Sequence, residues 1–443
     1  MRSKRPPIKS KFLAVGSPSG EGLSTPPQAV FSSDQYSPLA GKKEAGATCE
    51  VVLLRLLITV LIFGSCWDAQ ALELARPFGA HMVLPMNRRV PVWGKAMPGV
   101  EVTVTFGETK VSGKADAAGT WRVVLPAMNA SAEGRTLLVF TSAGSMRKCV
   151  DVLVGEAWLC AGQSNMDFHL ARAIGGKDEV AAAGSLPSIR LFNLTGVSAG
   201  RMKYGERERS RLVPGKFFEG EWQLASPESA ARFSAVAWWA GKEIHRKSGI
   251  PVGLIDNSVG GSGAEAWLPR EMLEVRAEYA ELLGDDWIQS NRVSAWARER
   301  VAYNLGGKPG NHPFRPGFLF DAGVRWWSEF PLDGVLWYQG ETNAEIYDDA
   351  WNELLITDLV TGWRRNLRQL DLPFIMVQLP RIGGNDPIRK WWPQFREAQA
   401  RVAEKMEGVE IVVTKDLGWD SSNVHPPDKR PVGERLGQAA AGP

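Results

Sequence analysis

The sequence predicts an α/β fold with a parallel sheet, preceded by a small all-β sandwich domain. From Val152 onward, short apolar segments alternate with stretches of helical periodicity, a pattern typical of a parallel sheet covered by helices on both faces. In residues 72–150, short runs rich in β-branched and aromatic residues are separated by Gly, Pro, Asp and Asn, which is typical of a sandwich. We therefore expect a sandwich domain over 72–150 and an α/β domain over 151–443.

The individual elements follow from these two patterns. In the sandwich domain, the predicted strands are Val90–Gly94, Val100–Phe106 and Thr120–Leu125. In the α/β domain, the predicted strands are Val152–Leu159, Val252–Asp256, Gly334–Tyr338, Phe374–Leu379 and Val409–Thr414. The predicted helices are Ser234–Arg246, Tyr347–Trp363 and Gln394–Met406, with Ser234 as an N-cap. Because parallel sheets bind ligands at the carboxyl ends of their strands, the loops that follow these strands should carry the function.

Residues 1–71 are predicted to be an N-terminal extension that ends in a signal peptide. The apolar run Val51–Phe63 is shorter than the ~20 residues of a spanning helix. It is followed by Ala69-Gln70-Ala71, a small-x-small site with expected cleavage after Ala71. Lipidation at Cys66 is a less favoured alternative. The protein is thus expected to be secreted or periplasmic, with no stable membrane span.

Composition and charge exclude several classes of function. The chain of 443 residues is 44% hydrophobic and 23% charged, as expected of a folded protein. The first 71 residues account for the whole net charge of +3, so the neutral remainder offers no basic surface for nucleic acid. Cys149 and Cys160 flank a predicted strand that would hold them too far apart to pair. Neither has a metal-ligand spacing, and we expect no metal and no other cofactor.

The motif Gly162-Gln163-Ser164-Asn165-Met166 follows the first predicted strand of the α/β domain. A serine on a sharp turn at a strand end can expose its hydroxyl and point its backbone N–H at a bound acyl group. The motif lacks the second glycine of GxSxG, so it is not the elbow of an α/β-hydrolase. An ordinary serine in a tight turn is the alternative.

Two further motifs follow neighbouring strands. The glycine-rich segment 257–263 offers unhindered N–H donors, although a plain structural loop would have the same composition. The polar segment 337–343 could donate to an oxyanion or hydrogen-bond sugar hydroxyls, or it could cap the following helix. His425, near the last strand and beside acidic residues, is the best candidate for a general base among the five histidines of the chain.

These motifs, in this order, resemble the sialate O-acetylesterase family of SGNH hydrolases in its bacterial form. The resemblance extends from about Arg76 to the end of the chain. It is carried by the Ser164 motif, Trp337-Tyr338-Gln339-Gly340-Glu341-Thr342-Asn343 and His425-Pro426 with Lys429 and Gly433-Glu434-Arg435-Leu436. Together these blocks are highly specific.

The resemblance implies a β domain followed by a flavodoxin-like SGNH-hydrolase domain, metal-free acyl transfer and acetylated sugars as substrates. It makes Ser164 the nucleophile and His425 the base. The oxyanion hole would consist of the Ser164 backbone, Gly261 and a side chain from the 339–343 block, Gln339 or Asn343. Glu341 and Trp337 of the same block are expected to bind substrate.

The chain departs from the family at the acid that orients the histidine. SGNH enzymes usually place this acid three residues before the histidine, where this chain has Ser422. Asp420 is the favoured replacement, because its loop is long enough to fold back; Asp416 and Asn423 are the other candidates. A Ser–His dyad that uses a backbone carbonyl is the alternative to a triad.

The sequence therefore predicts a serine esterase that hydrolyses O-acetyl esters on sialic acid or other acetylated glycans through an acyl-enzyme. An acetyl xylan esterase is one alternative. A non-catalytic sugar-binding protein with a decayed core is another.

Overall fold

The structure, a computed structural model, describes residues 72–384 and 386–442. The predicted signal peptide, with Cys66 and the cleavage site at Ala71, lies outside these residues.

The described residues form strands and helices in an order that begins with strands alone. The strands β1 to β14 are Glu73–Leu74, Val83–Pro85, Val90–Lys95, Glu101–Phe106, Thr109–Lys114, Thr120–Leu125, Ser131–Thr141, Met146–Gly162, Ile189–Asn193, Trp222–Leu224, Val252–Ser258, Gly334–Tyr338, Phe374–Val377 and Val409–Val412. The helices α1 to α12 are Gly176–Ala182, Glu206–Arg211, Pro214–Phe217, Pro227–Ala231, Ala235–Ser248, Arg270–Val275, Ala280–Leu283, Ala295–Leu305, Phe318–Ala322, Asp349–Asn366, Trp392–Lys405 and Arg430–Ala440. Short 3₁₀ turns connect several of them.

The large sheet has the strand order β10-β9-β11-β8-β12-β13-β14. All neighbours from β9 to β14 in this order are parallel, and β10 is antiparallel at one edge. Every residue of β11 and β12 is buried, which explains the apolar runs 252–255 and 334–338 in the sequence. The predicted α/β class with a parallel sheet is confirmed. Strand β9 was not predicted from the sequence.

Residues 72–145 contain strands without a helix, and these strands pair antiparallel except for β2, which pairs parallel with β8. Strands β1, β3 and β6 form a three-stranded sheet, and β4 pairs with both β5 and β7. Strand β8, 17 residues long, pairs with β2 and β7 in its first part and with β11 and β12 in its second. The predicted boundary at residue 150 therefore falls inside one continuous strand, and the described residues form a single compact unit. A separate sandwich domain is not confirmed.

Helix α5 shows how the sequence positions the elements around the site. Its N-cap is Ser234, whose hydroxyl accepts a hydrogen bond from the Ala237 N–H at 3.1 Å, as predicted. The last helix, α12, packs against α5 at very close range. A Cβ atom at Gly433 would lie 2.7 Å from the Val236 carbonyl oxygen, so only glycine permits this approach. This contact fixes the start of α12 and thus the loop with His425 before it.

Cys149 and Cys160 are both buried and free, which confirms the prediction that they do not pair. In the part of the chain that the structure covers, none of the helices combines the length and the apolar character that crossing a membrane requires.

Candidate active site

Three loops meet at the carboxyl edge of the sheet because their strands are direct neighbours. In the central strand β8, Gly162 is in register with Ser258 of β11 on one side and Tyr338 of β12 on the other. The loops that follow carry the serine motif, the glycine-rich segment and the polar 339–343 segment. The structure thus brings together the motifs that the sequence places almost 180 residues apart.

The serine loop turns sharply as it leaves β8. Gly162 has φ 138°, and a Cβ atom there would lie 2.0 Å from the Tyr338 carbonyl oxygen, which excludes any side chain. The Gln163 carbonyl accepts hydrogen bonds from the backbone N–H groups of Met166 and Asp167, both at 2.9 Å. This turn lifts Ser164 out of the sheet and into an open cavity.

Ser164 and His425 are within hydrogen-bond distance. The Ser164 Oγ lies 2.7 Å from the His425 Nε2, across 261 residues of sequence. A neutral imidazole at this distance can accept the hydroxyl proton as the oxygen attacks an ester. The geometry is the one that the predicted nucleophile and base require.

The partner of the other imidazole nitrogen is Asn423, not Asp420. The His425 Nδ1 lies 3.1 Å from the Asn423 Oδ1, which also accepts the His425 backbone N–H at 3.0 Å. The Asp420 carboxylate instead pairs with Arg381 at 2.8 Å, and its side chain is 86% exposed. The prediction that Asp420 orients the histidine is therefore wrong in this structure, because a surface arginine holds its carboxylate in solvent. Asp416 is likewise paired elsewhere, with Arg435.

The surroundings of His425 keep its imidazole neutral. Burial lowers the pKa of His425 to about 4, and the positive charges of Lys429, Arg172 and Arg389 add to this effect. A neutral Asn423 amide supplies no charge to oppose them. The imidazole is thus a free base over most of the pH range, but the imidazolium that forms during catalysis is weakly stabilised.

A buried network of polar side chains lies behind the histidine loop. The Asn165 side chain donates to the Glu341 carboxylate and, at 2.9 Å, to the Val424 carbonyl oxygen, and it accepts from the Lys429 ammonium. All three side chains of Asn165, Glu341 and Lys429 are almost fully buried. Burial lowers the pKa of Lys429 to about 7 and raises the pKa of Glu341. Because Val424 directly precedes the histidine, this network of buried hydrogen bonds positions His425.

Two backbone N–H groups are available to an oxyanion. Those of Ser164 and Gly261 donate to no acceptor among the residues that the structure describes, and both residues line the cavity. Gly261 has φ 80°, and a Cβ atom there would lie 2.3 Å from the Trp296 ring. Both backbone donors of the predicted oxyanion hole thus belong to residues of the cavity wall and have no acceptor among the described residues. The N–H of Gly260, by contrast, donates to the Asp167 Oδ2 at 3.2 Å.

The predicted side-chain donors of the oxyanion hole lie beneath the cavity. Asn343 is buried, accepts the Ala264 N–H at 2.8 Å and donates to Glu265 at 2.9 Å, so both ends of its amide are engaged. The Gln339 amide donates to the Asn343 Oδ1 and is also buried. Neither lines the cavity. Their assignment as oxyanion donors is wrong in this structure, because both belong to a packed network that supports the loops.

Gln163 is a cavity residue that the sequence analysis did not single out. Its Oε1 accepts the Thr342 N–H at 3.2 Å and lies 3.4 Å from the Gly340 N–H and the Gln339 amide. These donors fix the side chain beside Ser164. The polar 339–343 segment thus holds Gln163 in place, in addition to lining the cavity with Glu341 and Thr342. The only feature of the sequence that could have indicated a role for Gln163 is its position directly before Ser164.

Two neighbouring carboxyl groups are the half-buried Asp167, which follows the nucleophile by three residues, and the buried Asp256 of β11. Burial raises the pKa of Asp167 to about 8, and the neighbouring Asp256 adds to the effect. Burial also raises the pKa of Asp256 to about 7, although it accepts hydrogen bonds from the Ser258 hydroxyl at 2.5 Å and the Ser234 N–H at 3.2 Å. Asp167 lines the cavity, so it presents a largely protonated carboxyl group there at neutral pH.

The cavity has a volume of about 680 Å³, enough for a sugar-sized ligand. Besides Ser164 and His425 it is lined by Trp296, Glu341 and three arginines, which are Arg232, Arg300 and Arg389. Glu341 lines the cavity, and its predicted role in substrate binding stays a prediction. Trp337 is 2% exposed and packs against Trp267 and Trp363, so it belongs to the core and does not bind substrate.

Within residues 72–384 and 386–442, no group of three or more His, Cys, Asp or Glu side chains is arranged to hold a metal ion.

The chain is similar to known carbohydrate esterases in sequence and in fold. Residues 314–441 match the family model of carbohydrate esterases described as sialic acid-specific acetylesterase. The sialate O-acetylesterase of Mus musculus is 27% identical over 381 residues, which cover 78% of this chain and 68% of the relative. The sialate O-acetylesterase of Homo sapiens is 26% identical over 373 residues, which cover 78% of this chain and 65% of the relative. The chain thus spans about two thirds of the length of these relatives.

A solved structure extends the likeness to the fold. A carbohydrate acetylesterase from Xanthomonas citri superposes with a TM-score of 0.65 at 29% identity, covering 82% of this chain and 73% of that one. The parallel sheet carries a serine–histidine pair and unpaired N–H groups at its carboxyl edge. This site and the similarity to these relatives define the protein as a carboxylic ester hydrolase. The chain is similar to the sialate O-acetylesterase family of carbohydrate esterases, whose model it matches over residues 314–441.

Proposed function

We propose that the protein hydrolyses O-acetyl esters of sugars through an acetyl-enzyme formed on Ser164. The observation that carries the proposal is the 2.7 Å contact between the Ser164 Oγ and the His425 Nε2 in a sugar-sized cavity. The relatives, whose names describe carbohydrate acetylesterases, support the choice of substrate class.

In the acylation step, the Ser164 Oγ attacks the acetyl carbonyl carbon while its proton passes to the His425 Nε2. The carbonyl oxygen becomes an oxyanion, which the backbone N–H groups of Ser164 and Gly261 are placed to stabilise. The tetrahedral intermediate then collapses. The bond between the acetyl carbon and the sugar oxygen breaks, and His425 gives its proton to that oxygen, which leaves as a free hydroxyl.

In the deacylation step, a water molecule attacks the acetyl carbon of acetyl-Ser164 while His425 takes one of its protons. The bond to the Ser164 Oγ breaks, and the proton on His425 returns to that oxygen. Acetic acid leaves and the free enzyme is restored, so the net reaction consumes one water molecule per ester.

The charge of the cavity favours an acidic sugar over neutral xylan. Arg232 makes no ion pair and no hydrogen bond among the described residues, and Arg300 donates only to the Ala199 carbonyl oxygen at 2.9 Å. Arg389 pairs with Glu345 at 2.8 Å. Two arginines are therefore free of carboxylate partners, and a guanidinium group suits the carboxylate of a sialic acid. Acetyl xylan esterase activity remains the second candidate.

Acetate release from O-acetylated sialic acid and from acetylated xylo-oligosaccharides tests the proposal. We expect faster release from the sialic acid ester, and a loss of kcat of at least ~10³-fold in Ser164→Ala with unchanged folding. Release by purified Ser164→Ala close to that of the wild type would overturn the proposed nucleophile. Binding of both sugars without any release of acetate would favour a non-catalytic sugar-binding protein.

We also propose that the protein is exported and that the strands before β8 fold as a β-sandwich module attached to a flavodoxin-like SGNH domain. The apolar segment 51–63 with the small-x-small site at Ala71 supports export. The antiparallel pairings β1–β3, β3–β6, β4–β5 and β4–β7 support the module. Sequencing the N-terminus of the mature protein tests the first point, and expression of residues 72–150 alone tests the second.

A further inference from the structure

An aromatic pair lies beside the catalytic cavity. Glu345 and Arg389 line the cavity and form an ion pair at 2.8 Å. Tyr347 follows the first by two residues and Trp391 follows the second by two residues. Two residues of chain span at most ~7 Å, so both rings start from the wall of the cavity. Neither residue lines the cavity itself, so the pair lies outside the cavity wall, two residues along the chain from Glu345 and Arg389.

The two rings stack on each other and leave one face open. The ring centres of Tyr347 and Trp391 are 4.1 Å apart with an interplanar angle of 24°. The Lys390 ammonium lies 4.5 Å from the centre of the Trp391 ring. Because Tyr347 already fills one face of Trp391 at stacking distance, Lys390 must cover the other. The outer face of Tyr347 is therefore the free one, and this residue is 59% exposed.

Both rings are held by rigid elements. Tyr347 precedes Asp348, the N-cap of α10, whose carboxylate accepts the Trp351 N–H at 3.0 Å and pairs with Arg292 at 2.6 Å. Trp391 precedes α11, whose first residue Trp392 is 1% exposed. An exposed tyrosine that is stacked and anchored in this way loses little conformational entropy when a ligand covers it.

We propose that Tyr347, backed by Trp391, binds the sugar ring next to the acetylated one, so that the enzyme acts on oligosaccharide-linked esters in preference to free monosaccharide esters. The inference rests on the proposed function. The flat apolar face of an aromatic ring suits the C–H face of a pyranose, and the hydroxyl groups of that sugar stay in solvent. The position outside the cavity wall matches the second sugar, since the first occupies the cavity beside Ser164.

The experiment compares three substrates: 4-nitrophenyl acetate, free O-acetylated sialic acid, and a trisaccharide with the same acetylated sialic acid at its end. For Tyr347→Ala we expect kcat/KM on the trisaccharide to fall by about threefold to tenfold, the size of an aromatic stacking contact. Values for the aryl ester and the free sugar should stay unchanged. Trp391→Ala should lower the trisaccharide value less, because it removes only the support.

Two matched variants separate stacking from other effects. Tyr347→Phe keeps the ring and should retain the trisaccharide value. Leu370→Ala alters another exposed apolar side chain, in the loop before β13 at the opposite edge of the sheet, and should leave all three values unchanged. An equal loss on all substrates, or no loss on the trisaccharide, would overturn the inference while the proposed function stands. Hydrolysis of the aryl ester alone by the wild type would overturn the proposed function and the inference with it.

Discussion

The Asn423 side-chain oxygen lies 3.1 Å from the His425 Nδ1, in the place where serine hydrolases usually have a carboxylate. Asn423 reaches this nitrogen because its Oδ1 also accepts the backbone N–H of the histidine two residues ahead, a local turn that Asn side chains favour. The amide can fix the orientation and the tautomer of the ring. It cannot stabilise the imidazolium as a charge would.

Asn423→Ala should lower kcat by about tenfold to a hundredfold, because the ring loses the group that orients it. Asp420→Asn is the matched control in the same loop. Its carboxylate pairs with Arg381 in solvent, so kcat should remain close to that of the wild type. The steady-state kinetics of both purified variants decide the point. A large loss in Asp420→Asn with none in Asn423→Ala would show that the carboxylate moves to the histidine during catalysis.

Lys429→Met should move the acidic limb of the kcat/KM profile to higher pH. A positive charge near an imidazole disfavours its protonated form, and Lys429 is the charge that lowers the pKa of His425 most after burial. Without it, the pKa of His425 should rise from about 4 toward the ordinary value. Since the pKa of Lys429 is about 7, the lysine is charged in the wild type throughout the acidic limb.

Lys429→Arg is the control for this variant, because it keeps the charge and should keep the limb near its original position. The profile is measured with an aryl acetate between pH 4 and 8, and circular dichroism verifies folding. An acidic limb that is identical in Lys429→Met and the wild type would refute the electrostatic effect of Lys429 on the base. Arg172 and Arg389 remain in both variants and limit the size of the shift.

Gly261→Ala should lower kcat strongly through displacement of an oxyanion donor. Its φ of 80° disfavours any side chain, and the new Cβ atom would meet the Trp296 ring at 2.3 Å. Loss of one such donor costs about 10²- to 10³-fold in kcat. Gly306→Ala is the control, since it has φ 60° but nothing within 4 Å of the new Cβ. It should cost about 1 kcal/mol of stability and no activity.

Asn343→Ala should lower the free energy of unfolding, while its kcat should stay well above that of Gly261→Ala. The substitution leaves the buried Ala264 N–H and the Glu265 carboxyl group without their partner. One buried unsatisfied group costs about 1–3 kcal/mol. Urea denaturation measures the loss. A fully stable Asn343→Ala protein with a kcat as low as that of Gly261→Ala would restore Asn343 to the oxyanion hole.

The sequence by itself determined the α/β class, the strands that matter and the pair Ser164 and His425. The periodicity and the apolar character of short segments predicted the strands. For Gly334–Tyr338, the first and last residues of the strand in the structure are those predicted. Parallel pairing then requires that the loops after neighbouring strands meet. Residues at those strand ends could be assigned to one site without knowledge of any contact.

Only the tertiary structure decided which hydrogen-bond or ion-pair partner each polar side chain of these loops has. Asp420 and Asn423 are three residues apart in one loop, and nothing in their spacing says that Arg381 holds the first while the second reaches the imidazole. Likewise, Gln339 and Asn343 have the chemistry of oxyanion donors, yet their amides are engaged in buried hydrogen bonds. A side chain takes the partners that packing places within ~3 Å, and those partners come from distant parts of the chain.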